Sequence, residues 1–165
     1  MLGQPSRFCV TVNEDVPISK EKKMASVFSQ IINGELPGRF VWKDVDVVCF
    51  LSIAPLRPGH TLVVPRREFD SWTELPAELL GRVMSVAQVI GQGVERAWSA
   101  PRSGLAIAGF EVPHCHVHVS PTWSMDDLDF TKVKPVNDPV ELDDAAEQLR
   151  TALRELGHGK FVPDA

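Results

Sequence analysis

His114, His116 and His118 occupy every second position of the segment Val112-Pro113-His114-Cys115-His116-Val117-His118-Val119. Successive side chains on a strand point to opposite faces. The spacing therefore predicts three imidazoles on one face, with Cys115, Val117 and Val119 on the other, toward a core. At about 3.3 Å per residue, neighbouring imidazoles stand roughly 6–7 Å apart. A fourth histidine, His60, begins a different strand directly after Pro58-Gly59, where its side chain can lean over a neighbouring strand's end. The fifth, His158, lies between two glycines near the C-terminus and is expected to be solvated.

Three roles compete for such a row. The plainest is a surface strand that happens to be rich in histidine. The second is a metal site, since imidazole binds zinc, copper and iron, and two strand histidines plus a third ligand suit a catalytic centre. Within the segment, however, only Glu111 adds a carboxylate, and the histidine face carries no cysteine. The third is nucleophilic catalysis on phosphorus. A neutral imidazole with one nitrogen fixed on a carbonyl can attack through the other, dividing a hard displacement into two easier steps. Flanking imidazoles, if protonated, stabilise charge on the phosphoryl oxygens without a metal. This third role needs several converging histidines, which the spacing supplies, so neither a metal nor a cofactor is expected.

The elements that must position these residues are legible along the chain. Val27, Phe28, Ile31 and Ile32 follow helical spacing, and Asn33-Gly34 ends that helix. Strand-like runs follow at 39–43 and 45–51, with a hairpin turn near Lys43-Asp44, and His60-Thr61-Leu62-Val63-Val64-Pro65 reads as a third. A long helix is predicted over 76–98 from the stripe Leu80, Val83, Ala87, Ile90, Val94 and Trp98, which Gly91 and Gly93 should weaken. Two more strands fall at about 104–108 and 114–119. Asp138-Pro139-Val140-Glu141 opens a C-terminal helix over about 139–156, stopped by Gly157. The result is an α+β domain on a mostly antiparallel five-stranded sheet.

Bulk properties narrow the partners. The 165 residues suit one domain, placed at 24–165, with residues 1–23 a polar extension that stands apart. A net charge of −5 with no basic run argues against nucleic acid or an anionic membrane as the main partner. Cys9, Cys49 and Cys115 are odd in number and far apart, so they do not form a disulfide framework. No secretory signal or membrane span is visible, and a cytoplasmic location is expected.

The histidine segment resembles the signature of the histidine-triad (HIT) family, His-φ-His-φ-His-φ-φ with φ apolar, in its phosphoramidase-like bacterial branch. Phe28-Ser29-Gln30-Ile31-Ile32-Asn33-Gly34-Glu35-Leu36-Pro37, residues 47–53 and Pro58-Gly59-His60-Thr61-Leu62-Val63-Val64-Pro65 resemble the family's N-terminal half in order and spacing. The likeness covers about 27–121. It implies a homodimer whose sheets join, with a purine nucleotide or nucleotide conjugate bound in each subunit. By position it makes His116 the nucleophile, His114 and His118 its supports at the phosphate, and His60 the fourth member of the set. It places the base in an apolar slot of Phe28, Ile31, Phe50 and Ile53, residues for which ordinary core packing is the alternative.

Several positions depart from the family's pattern. Many bacterial members begin with a zinc-binding CxxC, and the matching residues here are Ser26 and Ser29, with Glu68 at a later ligand position, so a structural zinc is not expected. Ser52 stands where an Asp often holds the ribose hydroxyls. The phosphate loop reads Gly109-Phe110-Glu111, and Glu111 either acts as a buried acid toward the leaving group or turns away and offers only its N–H. The resemblance thus implies a hydrolase acting on the α-phosphorus of nucleoside phosphoramidates or related derivatives through a nucleotidyl-histidine. The alternatives are a dinucleoside polyphosphate hydrolase, with Arg102 a candidate for the larger leaving group, and a nucleotide-binding module with little turnover.

Overall fold

The computed structural model describes residues 25–133, 135–136 and 138–164. The extension at 1–23 and Cys9 lie outside them. Five strands, β1 (Phe40–Lys43), β2 (Val47–Leu51), β3 (Thr61–Pro65), β4 (Arg102–Ala106) and β5 (Val117–Thr122), form one antiparallel sheet in the order β1-β2-β3-β5-β4. β2 and β3 are buried at every position, which explains their unbroken apolar runs. The turn between β1 and β2 is held by Asp44, whose carboxylate accepts from the N–H groups of Asp46 and Val47 and from the Trp42 indole.

One face of the sheet is covered by helices α2 (Ala77–Trp98) and α3 (Pro139–Leu153). Their stripes Val83, Ala87, Ile90 and Val94, and Ala145, Leu149 and Leu153, meet Val47, Cys49, Val63, Val117 and Val119 from the strands. Each fully buried aliphatic of this size contributes about 1.5–3 kcal/mol. Gly91 and Gly93, expected to weaken α2, have a packing reason. A Cβ at Gly93 would come within 2.9 Å of Leu149 and Leu153, so the glycine lets the two helices approach closely. Asp138 caps α3 by accepting from the Val140 N–H, and Gly157 adopts φ +89° where the chain turns away.

The opposite face carries a smaller apolar cluster of Phe28, Val48, Phe50, Leu62 and Val64, beneath helix α1 (Val27–Ile32). His60, His116 and His118 share this face. Three expectations shift. β4 begins two residues earlier than expected, and β5 begins only at Val117, because Val112 and Pro113 form a turn in which the His114 N–H donates to the Val112 carbonyl. His158 is half-buried against Trp42, with ring centroids 5.7 Å apart, rather than solvated.

Candidate active site

Three histidines come together where β3 and β5 pair. Leu62 lies opposite His118 in the register, which carries His60 to the same end of the sheet. The ring centroids of His116 and His118 are 4.7 Å apart, and those of His60 and His118 5.2 Å. Their hydrogen bonds determine which nitrogens carry protons. His116 Nδ1 lies 2.8 Å from the His114 carbonyl oxygen, which can only accept, so Nδ1 bears the hydrogen and Nε2 keeps its lone pair. The Leu56 N–H donates to His60 Nδ1 at 3.0 Å. His60 Nε2–H therefore donates to His118 Nδ1 at 3.0 Å, leaving His118 with its hydrogen on Nε2.

Burial keeps these rings neutral. It pushes His60 down to about 3, helped by the neighbouring His118 and His116, and His118 down to about 4, helped by His116. Burial also lowers His116, although the His114 carbonyl and the nearby Glu111 carboxylate oppose the shift. In the free protein the flanking imidazoles therefore carry no charge. What waits is an N–H donor on His118 beside a nucleophilic lone pair on His116.

His114 also departs from its expected place at the phosphate. Its ring is fully buried, with Nε2 donating to the Pro65 carbonyl at 2.8 Å and Nδ1 2.8 Å from Ser26 Oγ. It stays on the histidine face, with its ring centroid 6.0 Å from that of Phe28, but buried under the start of α1. Around it stand the residues at the family's zinc positions. Ser26 Oγ accepts from the Ser29 N–H, while Ser29 Oγ and the Ser26 N–H both donate to Glu68 Oε2. Two neutral hydroxyls already joined by these bonds are not the thiolate and imidazole set that closes a structural zinc site, so the residues do not fit that metal.

The other candidates divide by exposure. Phe28 and Phe50 are buried, their rings edge-to-face at 5.5 Å, and Phe28 meets His116 at 4.9 Å. Phe50 is further enclosed by Phe40, so core packing describes it, and Phe28 forms a wall beside His116. Ile31 is half-buried beneath Gly38, where a Cβ would fall 2.5 Å from its side chain, and Ile53 is 71% exposed. Ser52 Oγ accepts from the Ala54 N–H within its own turn. In the phosphate loop Gly109 takes φ +86° and Phe110 is 98% exposed. Glu111 is exposed as well, so the burial that a carboxylic acid at the leaving group needs is missing. Arg102 pairs with Thr122 at the far end of β4, four residues from Ala106, the partner of His118, and does not join the site.

Sequence patterns gave no sign of Phe130. It follows β5 in a 3-10 turn and sets its ring edge-on to His118 at 5.0 Å and His60 at 6.2 Å. A cavity of about 320 Å³ opens beside Ser52 and His60, lined also by Arg57 and Lys132. Both cations are already paired, with Asp127 and Asp129 respectively. Cys49 and Cys115, raised by burial, are packing residues rather than nucleophiles.

The HIT domain model matches residues 33–125. An uncharacterized HIT-like protein of Methanocaldococcus jannaschii, MJ0866, is 32% identical over 75% of this chain and 98% of its own. Adenylylsulfatase HINT3 of Arabidopsis thaliana is 28% identical over 78% of this chain and 67% of its own. Among solved structures, a zinc-bound histidine triad family protein from Mycobacterium smegmatis is 28% identical, superposes with a TM-score of 0.70 and covers 81% of this chain and 96% of its own. With the signature, the sheet and the histidine geometry in agreement, this chain belongs to the HIT family.

Proposed function

We propose that this protein hydrolyses nucleoside phosphoramidates, or related nucleotide conjugates, at the α-phosphorus through a nucleotidyl-His116 intermediate. The observation that carries the proposal is the orientation of His116: neutral, with Nδ1–H on the His114 carbonyl and the Nε2 lone pair beside the His118 donor. A plant relative named for adenylylsulfatase activity supports a nucleotide substrate.

The His118 Nε2–H donates to an anionic phosphoryl oxygen, while its Nδ1 goes on accepting from His60. His116 Nε2 then forms a bond to phosphorus while the phosphorus–nitrogen bond breaks, and the amine departs with a proton taken from solvent. Water next attacks phosphorus and gives its proton to solvent. The bond to His116 breaks, releasing the nucleoside monophosphate and restoring the neutral ring. Phe28 and Ile31 offer apolar surface for a purine, while Ser52 can make fewer contacts to ribose than a carboxylate. A homodimer would join two sheets at β4, the edge strand beyond β5, where Leu105 is 45% exposed.

Turnover of an adenosine phosphoramidate by the wild type and by His116→Asn, followed by intact-protein mass spectrometry, tests the proposal. A nucleotidyl adduct and turnover confined to the wild type support it. Tight AMP binding with no turnover of any conjugate in a panel would leave a nucleotide-binding module instead.

A further inference from the structure

His114 is the member of the triad to which the reaction gives no direct part, and its surroundings suggest another one. Resting on His116 as the nucleophile, we propose that Glu68, Ser26 and Ser29 form a positioning network that acts through His114 and ties the nucleophile to α1. Glu68 Oε2 accepts two hydrogen bonds, from Ser29 Oγ at 2.7 Å and from the Ser26 N–H at 3.0 Å. Ser26 Oγ caps α1 and also meets His114 Nδ1 at 2.8 Å. The Pro65 carbonyl holds the other ring nitrogen of His114. The ring is therefore pinned between the start of α1 and the end of β3.

A helix cap alone needs only the Ser26 bond to the Ser29 N–H. The Glu68 and His114 contacts go beyond that requirement, and they lead to the reacting atom by two routes. The His114 carbonyl accepts the His116 Nδ1–H, so any rotation of the 114–115 peptide releases the bond that keeps the lone pair on Nε2. α1 carries Phe28, whose ring edge lies against His116, so a shift of α1 moves that wall as well. The position that suits zinc ligands in some members of the family thus holds a carboxylate–hydroxyl network here.

Nitrogen NMR of the imidazole rings reads the His116 tautomer directly and needs no substrate, and the rate of adduct formation gives a second readout. Wild type should show the Nδ1–H tautomer. In Glu68→Ala and Ser26→Ala, both tautomers should appear and adduct formation should slow about 10- to 100-fold, as small misplacements of reacting groups do. Ser26→Thr, which keeps the hydroxyl, should restore both. An unchanged tautomer, or an unchanged rate of adduct formation, in a folded variant overturns the network. Should Glu68→Ala fail to fold, Ser29→Ala removes one of the two Glu68 contacts, together with the Ser29 hydroxyl's contacts with Ser26 Oγ and His114 Nδ1, and takes the same two readouts. If the wild type itself forms no adduct, the proposed hydrolysis fails while the tautomer comparison still decides the network.

Discussion

The two faces of the sheet hold their residues in place by different physics. On the helical face, Val63, Val117, Val119, Ile90 and Leu149 are fully buried among other apolar side chains, and position follows from filling volume. On the histidine face, three of the decisive contacts are hydrogen bonds to main-chain groups, the Leu56 N–H and the carbonyls of His114 and Pro65. A packed face tolerates small shifts because many weak contacts share the load. A face of directional bonds does not, because each bond sets the proton position on one ring. Damage to the first face should appear in stability, and damage to the second in rate.

The largest effect expected is on rate. His116→Asn removes the nitrogen proposed to attack, and kcat should fall about 10⁴-fold or more, as removal of a nucleophile does elsewhere, with the melting temperature nearly unchanged. Loss of both rate and stability would blur the contrast between faces. Leu149→Ala is the counterpart on the helical face. It empties space between α2 and α3 next to Gly93 and should cost about 2–5 kcal/mol in urea titrations. Activity per folded molecule should stay the same, and a matching fall in kcat would show the faces to be coupled.

The same division decides what could be read from the sequence. The stripes of α2 and α3, the cap at Asp138 and the alternation of Val117 and Val119 are periodic; α2 follows its expected bounds to within one residue and α3 starts where expected, while α3 ends, and β5 both starts and ends, three residues away. The place of His116 was legible too, since it keeps the strand's alternation even ahead of β5. The burial of His114 was not, because its bonds to Ser26 and Pro65 join parts of the chain far apart in sequence. The hydroxyls around it carried a signal only as missing zinc ligands, which said what was absent and not what replaced it. Phe130 left no trace, since its contact with His118 is made by a 3-10 turn with no periodic pattern. Phe50 shows the converse: a position matched to the base slot is closed off by Phe28 and Phe40.

His60→Ala sharpens the comparison at smaller scale. It removes the N–H that fixes His118 Nδ1 as an acceptor, so both His118 tautomers become accessible and only one presents a donor to the phosphoryl oxygen. Pre-steady-state kinetics should show adduct formation about 10- to 100-fold slower, with the subsequent hydrolysis slowed as well. An unaltered rate would mean that the Phe130 ring, rather than His60, holds His118 in place.

The smallest expected effect joins the two faces through pH. Burial first, and the neighbouring imidazoles second, hold His60 at about 3 and His118 at about 4, below the ordinary 6.5. As pH falls, the unfolded chain takes up these protons before the folded one does. The stability contributed by the neutral rings is therefore complete above about 6.5 and is lost progressively toward the folded values of 4 and 3. The paired carboxylates such as Asp129, lowered to about 2 by bonds from Thr131 and Lys132, titrate later, so the upper part of the window belongs to the histidines. Between pH 7 and 5.5, denaturation midpoints should fall by an amount equivalent to about 2 kcal/mol, roughly 1 from each ring. In His60→Ala the decline should be shallower, because one shifted ring is gone and His118 has lost a neighbour. A midpoint that stays flat over this range in the wild type would mean that His60 and His118 carry protons in the folded protein, and the neutral N–H donor assigned to His118 would be lost with it.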